Sequence, residues 1–138
     1  MQKEVNETIK QTLSFFNLNE GIISFNKDFG VFLVSIKQNN LFNYEFANAL
    51  ELVLHTILPK DVFLKVDYNN SFTKFLEGIK DEVNTVVNQS KYYNKPMVLK
   101  SKNAFERRLK HYYVDIFYNV RHESFGEGLD RQIIIYPK

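Results

Sequence analysis

The sequence predicts an α+β fold, as two small α/β modules or one compact α+β domain. Three observations carry that expectation. Apolar residues recur at helical spacing in some segments and alternate in others, in the order α-β-β-α-β-α and then β-α-β-β. The 138 residues are 44% hydrophobic and 25% charged, an ordinary globular mixture for about one domain or two small ones sharing a core. The apolar runs are too short for a membrane span.

The elements follow in order. Val5, Ile9, Leu13 and Phe16 place an amphipathic helix over 3–17, ended by Asn17 to Gly21. Ile22 to Asn26 and Val31 to Ile36 read as strands, with Lys27-Asp28-Phe29-Gly30 as the hairpin turn. Residues 44–58 form a helix that presents Phe46, Ala47, Leu50, Val53, Leu54 and Ile57 on one face. Asn43 is its candidate cap and Pro59 its stop. His55 lies in this helix beside Leu54 and Ile57 and is read as a buried structural histidine. Val62 to Tyr68 alternates as a strand. Ser71 caps a helix whose stripe is Phe72, Phe75, Leu76, Ile79, Val83, Val86 and Val87, with Gly78 inside it. Residues 88–96 are the candidate boundary, which divides the chain into 1–95 and 96–138. Beyond it come a short strand, Met97 to Lys100, and a helix opened by Asn103 with Glu106 at capping-box spacing. Phe105, Leu109, Tyr112 and Ile116 are its expected inward residues. Val120 to Ser124 and Gln132 to Tyr136 read as a terminal hairpin around Gly126-Glu127-Gly128.

Composition excludes several classes of function. With no cysteine there is no disulfide framework, thiol nucleophile or cysteine-ligated zinc, and a reducing cytoplasm is the expected compartment. Met1-Gln2-Lys3-Glu4 has no apolar segment of the kind a secretory signal needs. Walker, GxSxG, HExxH and Rossmann signatures are absent, and Asp61, Asp67 and Asp81 lack metal-loop spacing. The expectation is a chain that is not an enzyme, with no cofactor, no metal and no small-molecule substrate.

Charge is unevenly placed. Residues 1–94 carry nine Lys against eleven acids, a balance of −2, and residues 95–138 carry nine Lys and Arg against five acids, a balance of +4. All four arginines, Arg107, Arg108, Arg121 and Arg131, fall in the second segment. Arginine is the side chain best shaped for bidentate contact with phosphate. On one helix, Arg107 and His111 stand one turn apart with Lys110 beside them, and Arg108 lies off that line. Glycine at 126 and 128 permits close approach of backbone to a phosphate. Taken alone, Arg107 and His111 also fit an ordinary helix surface, with His111 paired to Asp115.

The residues Asn103-Ala104-Phe105-Glu106-Arg107, the Arg107-x-x-x-His111 pair, Ser124-x-Gly126 and the strand Arg131-Gln132-Ile133-Ile134-Ile135-Tyr136-Pro137 resemble the R-3-H domain. More closely they resemble that domain at the end of bacterial Jag proteins, where it follows a KH domain of the prokaryotic type. The resemblance implies a KH-like α/β module over 1–95, packed with a C-terminal helix on a three-stranded sheet. It also implies that Arg107, His111 and Arg131 cluster on one surface and contact single-stranded RNA or DNA, joined by Ser124 and the Gly126 turn. Lys110, Arg108 and Arg121 would add long-range attraction. His122 stands where the family usually has Thr and is read as a strand-surface residue. The sequence departs from the pattern at the KH clamp. A working KH domain holds the backbone through a GxxG loop, and the matching Leu41-Phe42-Asn43-Tyr44 contains no glycine.

Two functions are therefore expected from the sequence. The first is sequence-tolerant, salt-dependent binding of single-stranded nucleic acid through the C-terminal face. The second is regulatory protein–protein docking through the altered KH surface at Leu41, Phe42 and Tyr44, on a partner such as an oligomeric ATPase or an envelope-assembly component.

Overall fold

A computed structural model describes residues 2–18, 20–36 and 44–138. Among them are four α-helices and six strands in two small sheets, an α+β architecture. The chain divides into two compact units, Met1–Lys74 and Phe75–Lys138.

In the first unit, helix α1 (Gln2–Phe15) is followed by strands β1 (Ile22–Asn26) and β2 (Val31–Ile36), helix α2 (Tyr44–Ile57) and strand β3 (Leu64–Tyr68). The sheet order is β1-β2-β3. β1 and β2 pair antiparallel, from Ile22 opposite Ser35 to Asn26 opposite Val31. β2 and β3 pair parallel, from Phe32 opposite Leu64 to Ile36 opposite Tyr68. A parallel pair needs a crossover between its strands, and α2 lies within that connection. The hairpin turn is set by Asn26, whose side-chain oxygen accepts from the backbone N–H of Asp28 at 3.0 Å and of Phe29 at 3.2 Å. Gly30 closes the turn at φ +64, a left-handed conformation that glycine adopts without steric cost.

The core of this unit joins Val5, Ile9 and Leu13 of α1 to Phe32, Val34 and Ile36 of β2, Ala47, Leu50 and Leu54 of α2, and Leu64 and Val66 of β3. α2 buries a narrower stripe than its composition suggests. Val53 and Ile57 are exposed, and so is His55, which corrects its reading as a buried histidine. The stripe runs through Ala47, Leu50, Leu54 and Leu58, and His55 falls one residue past it. Asn43, Leu41 and Phe42 lie outside the described residues. Tyr44 opens α2, is exposed, and sits edge-on to Tyr68 at 6.3 Å.

Helix α3 (Ser71–Tyr93) begins in the first unit and runs on into the second. Its start is capped by Asp67 as well as by local geometry. The buried Asp67 carboxylate accepts from Phe72 N–H at 2.9 Å, from Thr73 N–H at 3.3 Å and from the Thr73 hydroxyl. Residues 88–93, within the candidate boundary at 88–96, are helical. Ser90 continues the buried line of Val83 and Val87, and its hydroxyl donates to the Lys95 carbonyl at 2.9 Å. Asn94, at φ +52, ends the helix in the left-handed region.

The rest of the second unit comprises β4 (Met97–Leu99), α4 (Ala104–Val114), β5 (Val120–Phe125), a short 3-10 turn at Gly128–Asp130 and β6 (Gln132–Pro137). β6 is the central strand of an antiparallel sheet ordered β4-β6-β5. Leu99, Ile133 and Ile135 are fully buried, and the register sets Leu99 and Ser124 opposite Ile133, with His122 opposite Ile135. Cross-strand partners share a face. The side chains of Val120, His122 and Ser124 therefore lie on the sheet's buried side, and those of Arg121, Glu123 and Phe125 on the outer side.

α4 buries Glu106, Leu109, Lys110, Tyr113 and Val114. This corrects the expected inward face, because Tyr112 and Ile116 are exposed. The cause is a charged pair inside the unit. Lys110 has 0% relative exposure, and its ammonium contacts Glu106 at 2.7 Å and Glu82 at 2.9 Å while donating to the Lys100 carbonyl. A Glu and a Lys one turn apart read as solvated helix surface, yet here they define the buried stripe.

Candidate nucleic-acid interface

The Asn103 side chain accepts from Glu106 N–H at 2.8 Å and so fixes where α4 begins. Only half of the capping box forms, since the Glu106 carboxylate turns inward to Lys110. With Lys110 on the buried side, the opposite face presents Ala104, Arg107, Arg108, His111, Tyr112 and Asp115, spaced three and four apart. Ser124 of β5 and Arg131, at the entrance to β6, complete an open cleft of about 420 Å³.

Two hydrogen bonds organise the cleft. Arg107 Nη1 donates to the Arg131 carbonyl at 3.0 Å, and Arg131 Nη1 donates to the Gly126 carbonyl at 3.0 Å. Both acceptors are neutral main-chain oxygens, so these bonds orient the guanidinium groups without cancelling their charge. Each guanidinium has five N–H donors, and one such bond leaves it able to grip an anion.

The turn itself depends on Gly126. Its φ is +89, and a Cβ there would stand 2.8 Å from the Asp130 carbonyl oxygen. The glycine thus allows the loop to fold back on itself, and its carbonyl anchors Arg131.

The sequence-derived residues separate into two groups. Arg107, Arg108, His111, Ser124 and Arg131 converge on the cleft, with Gly126 supporting them. Lys110 does not join them, because its charge is buried between Glu106 and Glu82. Arg121 points to the outer face of the sheet, paired to Glu123 at 3.0 Å and lying 4.1 Å over the Tyr136 ring.

Sequence reasoning missed Tyr112, Asp115 and His122 as site residues. Asp115 does not pair with His111. Its Oδ1 meets His122 Nε2 at 2.5 Å, and the His122 ring packs edge-on to His111 with centroids 4.4 Å apart. The signal for Tyr112 and Asp115 was their spacing from Arg108 and His111. His122 needed the register of β5.

A helix carrying an Arg-x-x-x-His face thus stands beside a three-stranded sheet, with a second arginine held by a glycine turn. Residues 74–137 match the family model of the R-3-H domain. Domains of this family are associated with binding of single-stranded nucleic acid. No curated protein matches the chain. Among the described residues, no helix is long and apolar enough to cross a membrane.

Proposed function

We propose that this chain is a cytoplasmic, non-catalytic, Jag-like protein that binds single-stranded RNA or DNA through its C-terminal cleft. The convergence of Arg107, His111 and Arg131 in one cleft, with both arginines held by main-chain carbonyls, carries this reading. Oriented guanidinium groups contact the sugar–phosphate backbone, which positions a strand without reading its sequence. Tyr112 supplies an exposed ring at the cleft on which a base can stack.

The Jag-like part of the proposal rests on the α-β-β-α-β order of the first unit and on the R-3-H match at residues 74–137. With no glycine at positions 41–44, that unit is assigned no part in gripping the strand. A second reading, protein docking at the first unit, is favoured by the exposed Tyr44, Leu52 and Ile57 of α2.

The test is fluorescence anisotropy of a labelled single-stranded oligonucleotide over a salt series, with the wild type and an Arg107→Ala/Arg131→Ala variant of unchanged circular dichroism. Wild-type affinity should fall steeply with salt. For every phosphate that the variant no longer neutralises, the log–log slope should flatten by about 0.7. Equal binding by the two proteins, or none by either, would overturn the nucleic-acid reading.

A further inference from the structure

We propose that His111, Asp115 and His122 form a binding site for a divalent transition-metal ion of the zinc type. One ligand atom from each of the three lies within 4.8 Å of the others. Two of the chain's three histidines meet here. His111 and Asp115 are one turn apart at the end of α4, and His122 reaches them from the buried side of β5. The site is therefore spread over two elements that the packing of the unit holds together.

The donor set suits such an ion. Two imidazole nitrogens and one carboxylate oxygen form a common three-ligand set for zinc, and hard cations such as magnesium prefer oxygen alone. Around a tetrahedral ion with bonds of about 2.0–2.1 Å, ligand atoms stand about 3.3 Å apart. The His122–Asp115 contact, at 2.5 Å, must open by less than ~1 Å, and the wider separations must close. Asp115 is exposed, so its carboxylate can make that adjustment by side-chain rotation. The other ring nitrogen of His122, Nδ1, is buried and has no hydrogen-bond partner among the described residues. No second hydrogen bond locks that imidazole against a small rotation.

Three protein ligands leave one position of a tetrahedral ion open to water or to an anionic oxygen. That open position would face the cleft, because His111 and Asp115 both line it. The metal site shares His111 with the proposed strand-binding face, but its existence does not depend on that function.

The experiment is titration of tag-free protein with zinc chloride, without nucleic acid, followed by calorimetry and by NMR of the histidine rings. The expected result is saturation at one ion per chain, with the His111 and His122 resonances shifting and His55 unaffected. His122→Ala should weaken binding at least as much as removal of a ligand's supporting group does, roughly ten-fold or more. Asp115→Asn, which keeps the side chain's size, should also weaken it, and His55→Ala should not. Thermal melts confirm that each variant is folded. The proposal is overturned if the wild type shows no saturable binding, or if folded His122→Ala and Asp115→Asn proteins bind zinc as the wild type does.

Discussion

Arg107 donates to the main-chain carbonyl of Arg131, 3.0 Å away, so the helix-borne arginine is held by the backbone of the strand-borne one. Arg131 is held in turn by the carbonyl of Gly126 at 3.0 Å. The two guanidinium groups are thus linked in series to one turn. Groups oriented before a ligand arrives lose less rotamer entropy on binding it. The geometry of that turn should then control binding even though its own side chains lie outside the cleft.

Gly126→Ala tests this link. The new methyl group meets the Asp130 carbonyl at 2.8 Å in a backbone held at φ +89. A destabilisation on the order of 1–3 kcal/mol is expected, together with weaker oligonucleotide binding. Gly128 also has positive φ, at +59, but a Cβ there meets nothing within 4 Å. Gly128→Asn should cost clearly less than Gly126→Ala, since it meets no clash and Asn tolerates the left-handed region better than most side chains. Thermal denaturation and anisotropy on both variants check the contrast, and equal effects at the two positions would refute it.

Lys110 should matter for stability and not for charge presentation. Lys110→Met leaves Glu106 buried without its cation and should cost on the order of 3 kcal/mol in urea denaturation. Adding Glu106→Gln removes the stranded charge, so the double variant should be more stable than Lys110→Met alone. A double variant no better than the single one would show that the ion pair is not the source of the destabilisation.

Gly78 lies in the interior of α3, and a Cβ there would meet nothing within 4 Å. Gly78→Ala should therefore stabilise the protein by about 1 kcal/mol through helix propensity alone. A lowered melting temperature would contradict it.

The Asp67 carboxylate serves two backbone N–H groups at the start of α3. Asp67→Ala leaves those donors unmet in a buried setting and should cost about 2 kcal/mol. Asp67→Asn keeps one acceptor oxygen and should cost less. Chemical denaturation of the two variants gives the comparison.

The parts legible in the sequence were those written in local pattern. β1 and β2 are short runs rich in β-branched and aromatic residues, and both match the expected bounds. Arg107 and His111 share a helix face because residues four apart do so in any helix. The missed features depend on contacts distant in sequence. Glu82 turns Lys110 inward from another helix, so counting Lys110 overstated the positive surface of the last third of the chain. Pairing with β6 decides which side of the sheet carries His122, and only then does it meet Asp115. Asp67 caps α3 from within β3, four residues before the helix starts, where the adjacent Ser71 was the natural candidate.

The grip on both arginines is made by peptide oxygens, which every amino acid carries. Glu127, Leu129 and Asp130 all face solvent. Evolutionary drift could rewrite these three positions while the fold of the turn and its two carbonyl acceptors persisted. The demand falls on the glycine at 126 and on the reach of the two arginines. Divergent relatives would then keep the cleft while losing the letters between its anchors, and kinship judged on that loop would be underestimated.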